Sequence, residues 1–158
     1  MELQNTWTLW YTEQDLDKYN WKLSNYKKLA TIKTVQDFWK AIVSVPEHRW
    51  IDGMYFLMKD DILPTWESAD NKNGQSMNFR VPKIYAFVSW VELAMQLVGE
   101  NLMPSTKWNI NGISISPKNN TVTIKIWTRD KSVKDVSEIP TILDFINSEN
   151  VLLRPYYN

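Results

Sequence analysis

The sequence predicts an α+β fold in which three helices cover the convex face of one curved antiparallel β-sheet. Three observations lead to this prediction. About seven segments alternate apolar and polar residues, as strands do, and about three have helical periodicity. Short connections join several of the alternating segments, which is typical of antiparallel pairing. The helical segments have one apolar face, so they would cover one side of the sheet and leave the other to solvent.

The first half of the chain contains three predicted strands and one helix. Alternation predicts strands at residues 5–13, 26–33 and 53–59. The segment "TVQDFWKAIVSV" (34–45) predicts a helix, because Val35, Phe38, Trp39, Ile42 and Val43 follow the i, i+3, i+4, i+7, i+8 pattern. Thr34 and Asp37 have the spacing of a capping box at its start.

The second half predicts the rest of the sheet and two more helices. A short strand at 77–81 precedes a helix at 84–98, which Gly99 is placed to end. Residues 111–116 and 121–129 predict a hairpin around "PKNN". The segment 132–147 is predicted to be helical in part, with Pro140 as a kink or a later start. Residues 151–157 predict a last strand at an edge, because Pro155 cannot donate a ladder hydrogen bond.

The composition bounds the function. The 158 residues suit a single domain, which we assign to 1–158. With no cysteine and one histidine, we expect neither disulfides nor a metal site, and no cofactor. The 18 basic and 18 acidic residues argue against a protein that coats nucleic acid, but not against a site for one nucleotide. No run spans a membrane and no signal peptide is recognisable, so we expect a cytoplasmic protein. We also expect it to be a monomer.

Strand alternation in "TVTIKIWTR" places a tryptophan on the solvent side of the sheet. Val122, Ile124 and Ile126 share a core face, so Lys125 and Trp127 share the other. A tryptophan between a lysine and an arginine on an exposed face indicates a surface that binds something.

Catalytic motifs are lacking. The sequence has no nucleophile–base–orienter set and no phosphate-binding or metalloprotease signature. Asp60 and Asp61 are best read as solvated turn carboxylates, and His48 as a surface histidine. We therefore expect no enzyme, while a small hydrolase or lectin-like binder with an aromatic cleft stays open as an alternative.

Two tryptophans, Trp21 and Trp66, lie in polar loops far from apolar periodicity. They either plug the ends of the core or form a stacking pair for a flat ring. Stacking on an aromatic side chain stabilises a bound base by about 1–3 kcal/mol. A cationic ring adds a cation–π attraction, and Glu67 beside Trp66 could accept hydrogen bonds from its polar edge.

Five ordered blocks together resemble one family over nearly the whole chain. They are "LQNTWTLWYTE" (3–13), "TVQDFW" (34–39), "ILPTWE" (62–67), "WVELAMQLVGE" (90–100) and "NGISIS" to "IWTRD" (111–130). The sequence is similar to the eukaryotic mRNA cap-binding translation initiation factor 4E family. The resemblance implies a cupped-hand fold with three helices on its convex back, and no enzymatic activity.

The resemblance also implies a site for the 7-methylguanosine cap of mRNA. Trp21 and Trp66 match the tryptophans that sandwich the methylated base. Glu67 matches the glutamate that reads its Watson–Crick edge, and Trp127 matches the tryptophan at the methyl group. We therefore expect the ligand to cover Trp127.

The phosphate side departs from the family. Lys118 stands at one of three basic positions, whereas Thr123 and Ser76 occupy the other two. Lys125 lies on the strand face of Thr123 and Trp127. We expect it to compensate as a second phosphate-binding residue, with Lys72 as a further candidate.

A second surface is implied on the convex back. The family binds a Tyr-x-x-x-x-Leu-hydrophobic helix there, from an initiation factor 4G-type scaffold or a 4E-binding repressor. The matching residues are Val35, Trp39, Val91, Glu92 and Met95. Helix periodicity alone would instead turn Val35, Trp39 and Met95 inward. The predicted function is cap binding with scaffold recruitment; the alternative is a repressor that sequesters capped mRNA without recruitment.

Overall fold

The computed structural model describes residues 1–13 and 23–156. Within these ranges the chain forms seven β-strands and two α-helices. The strands are β1 (Glu2–Glu13), β2 (Lys27–Thr34), β3 (Gly53–Lys59), β4 (Gln75–Pro82), β5 (Ile110–Pro117), β6 (Thr121–Thr128) and β7 (Leu152–Pro155), and the helices are α1 (Val35–Ser44) and α2 (Ala86–Val98).

All seven strands form one sheet in the order β2-β1-β3-β5-β6-β4-β7. Every neighbouring pair is antiparallel, so the predicted antiparallel sheet is confirmed. β7 pairs with β4 alone and ends at Pro155, which confirms the predicted edge strand. Its position beside β4 brings residues near the end of the sequence next to the middle of the chain.

The sheet has two faces of different character. Val122, Ile124 and Ile126 are fully buried in the main core together with helix residues such as Phe38 and Trp90. We call this side the helix face. The opposite side, here the open face, carries Thr123, Lys125 and Trp127 of β6, as the strand alternation predicted.

A capping box starts α1. The amide of Asp37 donates to Thr34 Oγ1 at 3.0 Å, and the amide of Thr34 donates to Asp37 Oδ2 at 3.2 Å. Two backbone donors that a helix start leaves unpaired are thereby satisfied. The prediction from the spacing of these two residues is confirmed.

The prediction that residues 132–147 are helical in part is wrong. Residues 132–147 form turns and a single β-bridge in which the amides of Ile142 and Ile146 donate to each other's carbonyls at 2.8 and 3.2 Å. Pro140 lacks an amide hydrogen and its ring clashes with a preceding helical turn, so a helix cannot continue through it. The apolar residues still reach the core, since Ile139, Ile142 and Ile146 are buried.

Candidate functional site

The loop between β3 and β4 presents Trp66 and Glu67 to solvent. Trp66 is 41% exposed, which is high for a tryptophan and excludes a role as a core plug. Glu67 is also exposed. Among residues 1–13 and 23–156, its carboxylate has no hydrogen-bond or ion-pair partner. The loop therefore offers an indole and an acceptor side by side.

One buried side chain, Asn71, holds this loop. Its Nδ2 atom donates to the carbonyls of Leu63 at 2.9 Å and Thr65 at 2.8 Å, and to Ser68 Oγ at 3.0 Å. These acceptors lie on both sides of Trp66 and Glu67 in the sequence. Asn71 thus fixes the backbone that carries the two candidate residues, and sequence reasoning missed it because one asparagine in a polar loop gives no pattern.

The loop is also tied to the sheet. Asn111 of β5 donates from Nδ2 to Asn71 Oδ1 at 2.9 Å and to the carbonyl of Asp70 at 2.9 Å. At Gly74 a β-carbon would collide with the backbone carbonyl of Thr128, so only glycine permits this close approach to β6. The loop and the sheet therefore form one rigid support.

Trp127 corrects the sequence-based interpretation. It lies on the open face as predicted, but it is 5% exposed, because the protein covers it without any ligand. A second apolar cluster on this face consists of Trp10, Phe56, Met58, Ile62 and Trp127. The indole Nε1 of Trp127 donates to Ser114 Oγ at 2.9 Å, which fixes the orientation of the ring.

Tyr156 links Trp66 to Trp127, a connection that the sequence did not indicate. Its ring centroid lies 6.5 Å from that of Trp66 and 5.4 Å from that of Trp127. Burial raises the pKa of the Tyr156 hydroxyl far above its usual range, so the side chain is neutral at physiological pH. A flat ligand placed on Trp66 would therefore lie next to an apolar, uncharged wall.

Tyr26 marks where the charge of Glu67 acts. Burial, and after it the negative charge of Glu67, raises the pKa of Tyr26 to about 12. The Tyr26 ring packs against Phe56 of the second cluster at a centroid distance of 5.5 Å. Trp66, Glu67 and Trp127 thus converge on the same cluster. Trp21, the other predicted stacking residue, lies outside the described residues.

A basic pocket of about 460 Å³ adjoins this region on the open face. Four cationic side chains line it: Arg80, Lys118, Lys125 and Arg154. Lys118 and Lys125 are thus together, as predicted; Lys72 is exposed and does not line this pocket. Burial, followed by the charges of Lys118 and Arg154, lowers the pKa of Lys125.

The predicted partner surface on the helices is accessible. Trp39 and Met95 are each 42% exposed and Glu92 is exposed, while Val35 and Val91 are half-buried. The inward-facing alternative is wrong for Trp39 and Met95. Val43 was grouped with the apolar face of α1 but is mostly exposed, and so is Val88 on α2. The apolar surface is thus larger than the five predicted residues.

None of the helices in the described part of the chain is long and apolar enough to cross a membrane. Within the same residues, no group of three histidine, cysteine or carboxylate side chains is arranged to hold a metal ion.

Known proteins are similar to this chain in sequence and in fold. A family profile described as "Eukaryotic initiation factor 4E" matches residues 2–153. The chain is 32% identical over 143 residues to eukaryotic translation initiation factor 4E of Dictyostelium discoideum, covering 85% of this chain and 56% of that protein. It is 31% identical over 147 residues to eukaryotic translation initiation factor 4E-3 of Caenorhabditis elegans, again covering 85% and 56%.

Solved structures of other proteins are similar to this chain in fold. The complex of Ascaris suum eIF4E-3 with the m2,2,7G cap has a TM-score of 0.74 at 28% identity, covering 83% of this chain and 74% of that one. The complex of C. elegans eIF4E-3 with the 4E-binding protein Mextli and a cap analog has a TM-score of 0.73 at 30% identity, covering 82% and 74%. The chain spans little more than half the length of the two relatives named above. Its profile match, identities and fold together show that it belongs to the eukaryotic initiation factor 4E family.

Proposed function

We propose that this chain binds the 7-methylguanosine cap of mRNA in the cytoplasm and recruits a scaffold protein to start cap-dependent translation. The observation that carries the proposal is the exposed pair of Trp66 and Glu67, on a loop that Asn71 pins to the sheet. Relatives of the same fold were solved with m7G and m2,2,7G caps. The protein acts by binding, with no chemical step.

Base recognition combines stacking with charge. Methylation gives the guanine ring a positive charge, which strengthens its attraction to an indole face. Trp66 supplies one such face, and the family resemblance assigns the other to Trp21. Glu67 accepts hydrogen bonds from the Watson–Crick edge, and its negative charge favours the methylated ring. Trp127, held by Ser114, lies behind the methyl group, with Tyr156 beside it.

The phosphates extend from the base toward the basic pocket. Lys118 and Lys125 line that pocket, and no aspartate or glutamate lines it with them. A bound triphosphate would supply the negative charge that balances theirs. Lys125 is largely withdrawn from water, which lowers its pKa, and an ammonium in such a place interacts strongly with a bound anion.

The helices provide the partner site. Trp39 on α1 and Met95 on α2 are exposed apolar side chains. The carboxylate of Glu92 on α2 is also exposed and can accept a hydrogen bond from a partner. A schistosome relative was solved with m7GpppA and 4E-BP, and a nematode relative with Mextli. We assign this surface, with Val35 and Val91, to a Tyr-x-x-x-x-Leu-hydrophobic helix of a 4G-type scaffold or a 4E-binding repressor.

The test is a tryptophan fluorescence titration with 7-methyl-GTP and with GTP. We expect strong quenching by 7-methyl-GTP alone in the wild-type protein. Trp66→Ala should weaken 7-methyl-GTP binding by tenfold or more, since stacking is worth about 1–3 kcal/mol. Glu67→Gln keeps the shape but removes the charge, so it should reduce the preference for the methylated nucleotide.

The matched control is Trp108→Ala, because Trp108 is also strongly exposed but belongs to the 3₁₀ segment Pro104–Asn109, which is neither part of the Trp66 loop nor part of the pocket lining. It should leave the titration unchanged. An equal response of the wild-type protein to both nucleotides would overturn the proposal. Sugar binding or hydrolysis with indifference to methylation would favour the aromatic-cleft alternative.

A further inference from the structure

The family resemblance implies three basic positions for the phosphates, and two of these positions are neutral in this chain. Ser76 lies on β4 and Thr123 on β6, and both side chains face the open side of the sheet. Lys118 remains at the β5–β6 turn. The strand pairing shows which cationic side chain lies beside Ser76, where the basic side chain is absent.

That side chain is Arg154. Ser76 pairs with Trp127 of β6 on one side and with Arg154 of β7 on the other. Residues directly opposite each other in an antiparallel pair share a face, with their β-carbons about 5 Å apart. Arg154 therefore lies on the open face, level with Trp127. Tyr156, two residues along and on the same face, touches Trp127, which agrees with this orientation.

The charges around Arg154 are unbalanced. Arg154 lines the basic pocket with Arg80, Lys118 and Lys125, and no aspartate or glutamate contributes to its lining. Within the described ranges of the chain, none of these four side chains forms an ion pair; the single salt bridge there joins Arg129 to Asp70. Clustered like charges repel one another, and a bound polyanion would relieve that repulsion.

We propose that Arg154 holds the phosphate chain of the capped ligand, in place of the basic side chain that is absent at Ser76. This inference rests on the proposed cap binding. It assigns to β7, the edge strand, a direct part in ligand recognition. The guanidinium suits the task because it is always charged and binds phosphate oxygens through two parallel hydrogen bonds.

The register also orders the phosphate contacts. Arg154 is level with Trp127, whereas Lys125 lies two residues before Trp127 on β6, toward the β5–β6 turn. Lys118 at the β5–β6 turn lies opposite Thr121, six residues from Trp127, which is about 20 Å at the rise of an antiparallel strand. Arg154 should therefore act on the phosphate nearest the base, and Lys118 on phosphates further away.

The experiment compares the affinities of wild type and Arg154→Ala for 7-methylguanosine, 7-methyl-GMP and 7-methyl-GTP. We expect unchanged affinity for the nucleoside and a loss of about tenfold for both phosphorylated ligands, typical of a charged hydrogen bond. Lys118→Ala should lose affinity for the triphosphate but not for the monophosphate. Arg154→Lys keeps the charge and should recover part of the loss.

Arg49→Ala is the matched control, because Arg49 is exposed and lies in the 3₁₀ segment Glu47–Ile51, outside the pocket. It removes the same charge and should leave all three affinities unchanged. Thermal unfolding of each variant shows whether the variant is folded. If wild type prefers 7-methyl-GTP over GTP but folded Arg154→Ala binds all three ligands like wild type, this inference is wrong and cap binding stands. If wild type shows no such preference, the proposed function itself fails.

Discussion

The position of the candidate site depends on the amide of Asn71. This side chain is fully buried and donates to three acceptors around Trp66 and Glu67, while its oxygen accepts from Asn111. These hydrogen bonds hold the loop backbone in one conformation. Asn71 is thus a positioning residue, since it need not touch a ligand to determine where the indole and the carboxylate lie.

Asn71→Asp should disrupt this arrangement, because a carboxylate cannot donate to the carbonyls of Leu63 and Thr65. We expect the free energy of unfolding to fall by about 1–3 kcal/mol or more, the cost of unpaired buried polar groups. The affinity for 7-methyl-GTP should fall as well. Denaturant unfolding and fluorescence titration measure the two effects.

The control for this change is Asn73→Asp, an identical substitution at an exposed position two residues away. It adds the same charge near the site without removing buried hydrogen bonds. Should folded Asn71→Asp bind 7-methyl-GTP no more weakly than Asn73→Asp, the loop would not depend on Asn71 for its geometry.

Residues close in sequence were predictable in a way that distant ones were not. Alternation correctly placed Trp127 on the open face. The polar surroundings of Trp66 left a core plug and a stacking residue open, and its exposure decides against the plug. Alternation does not reveal what covers a face. Tyr156 covers Trp127 because β7 pairs with β4, a contact across much of the chain. Arg154 was missed for the same reason.

At the scale of elements, local chemistry predicted where α1 begins. Thr34 and Asp37 satisfy each other's backbone at the helix start, and the hydrogen bond from the Lys33 amide is the main reason why the pKa of Asp37 lies below its ordinary value of 3.8. The segment 132–147 lacks such local signals. Its apolar residues suit several backbone paths, and Pro140 excludes the helical one.

The cap of α1 makes stability depend on pH in a defined direction. The folded state holds Asp37 ionised, so the stabilisation is present above the ordinary Asp pKa and is lost as pH falls through the lowered pKa. The difference in unfolding free energy between wild type and Asp37→Asn should therefore be constant near neutral pH and shrink below the ordinary value of 3.8.

Thr34→Ala provides the comparison. It removes the hydroxyl that accepts from the Asp37 amide and should cost about 1 kcal/mol at neutral pH. Urea unfolding of both variants across the acid range measures the effects. If the loss in Asp37→Asn did not change with pH, the carboxylate would not contribute through its charge.

Across the whole molecule, the sheet separates the two proposed binding surfaces. Its open face carries Trp127, the basic pocket and the loop with Trp66, whereas α1 and α2 pack on the helix face. The long-range order β2-β1-β3-β5-β6-β4-β7 creates this separation. The sequence predicted one sheet with helices on one side, but not this order, because strand pairing between distant segments leaves no local pattern.

The separation predicts that partner binding can be removed without changing cap affinity. Trp39→Ala should lower the affinity for a synthetic Tyr-x-x-x-x-Leu-hydrophobic helical peptide at least tenfold. A tryptophan that becomes buried when the partner binds contributes much of the binding energy of such interfaces. The affinity for 7-methyl-GTP should stay the same. Lys40→Ala, at the next exposed position of α1, is the control and should affect neither. Calorimetry with peptide and nucleotide measures both. A wild-type protein that binds the nucleotide but no such peptide would act as a cap-sequestering repressor, because the exposed helix surface would then not recruit a scaffold.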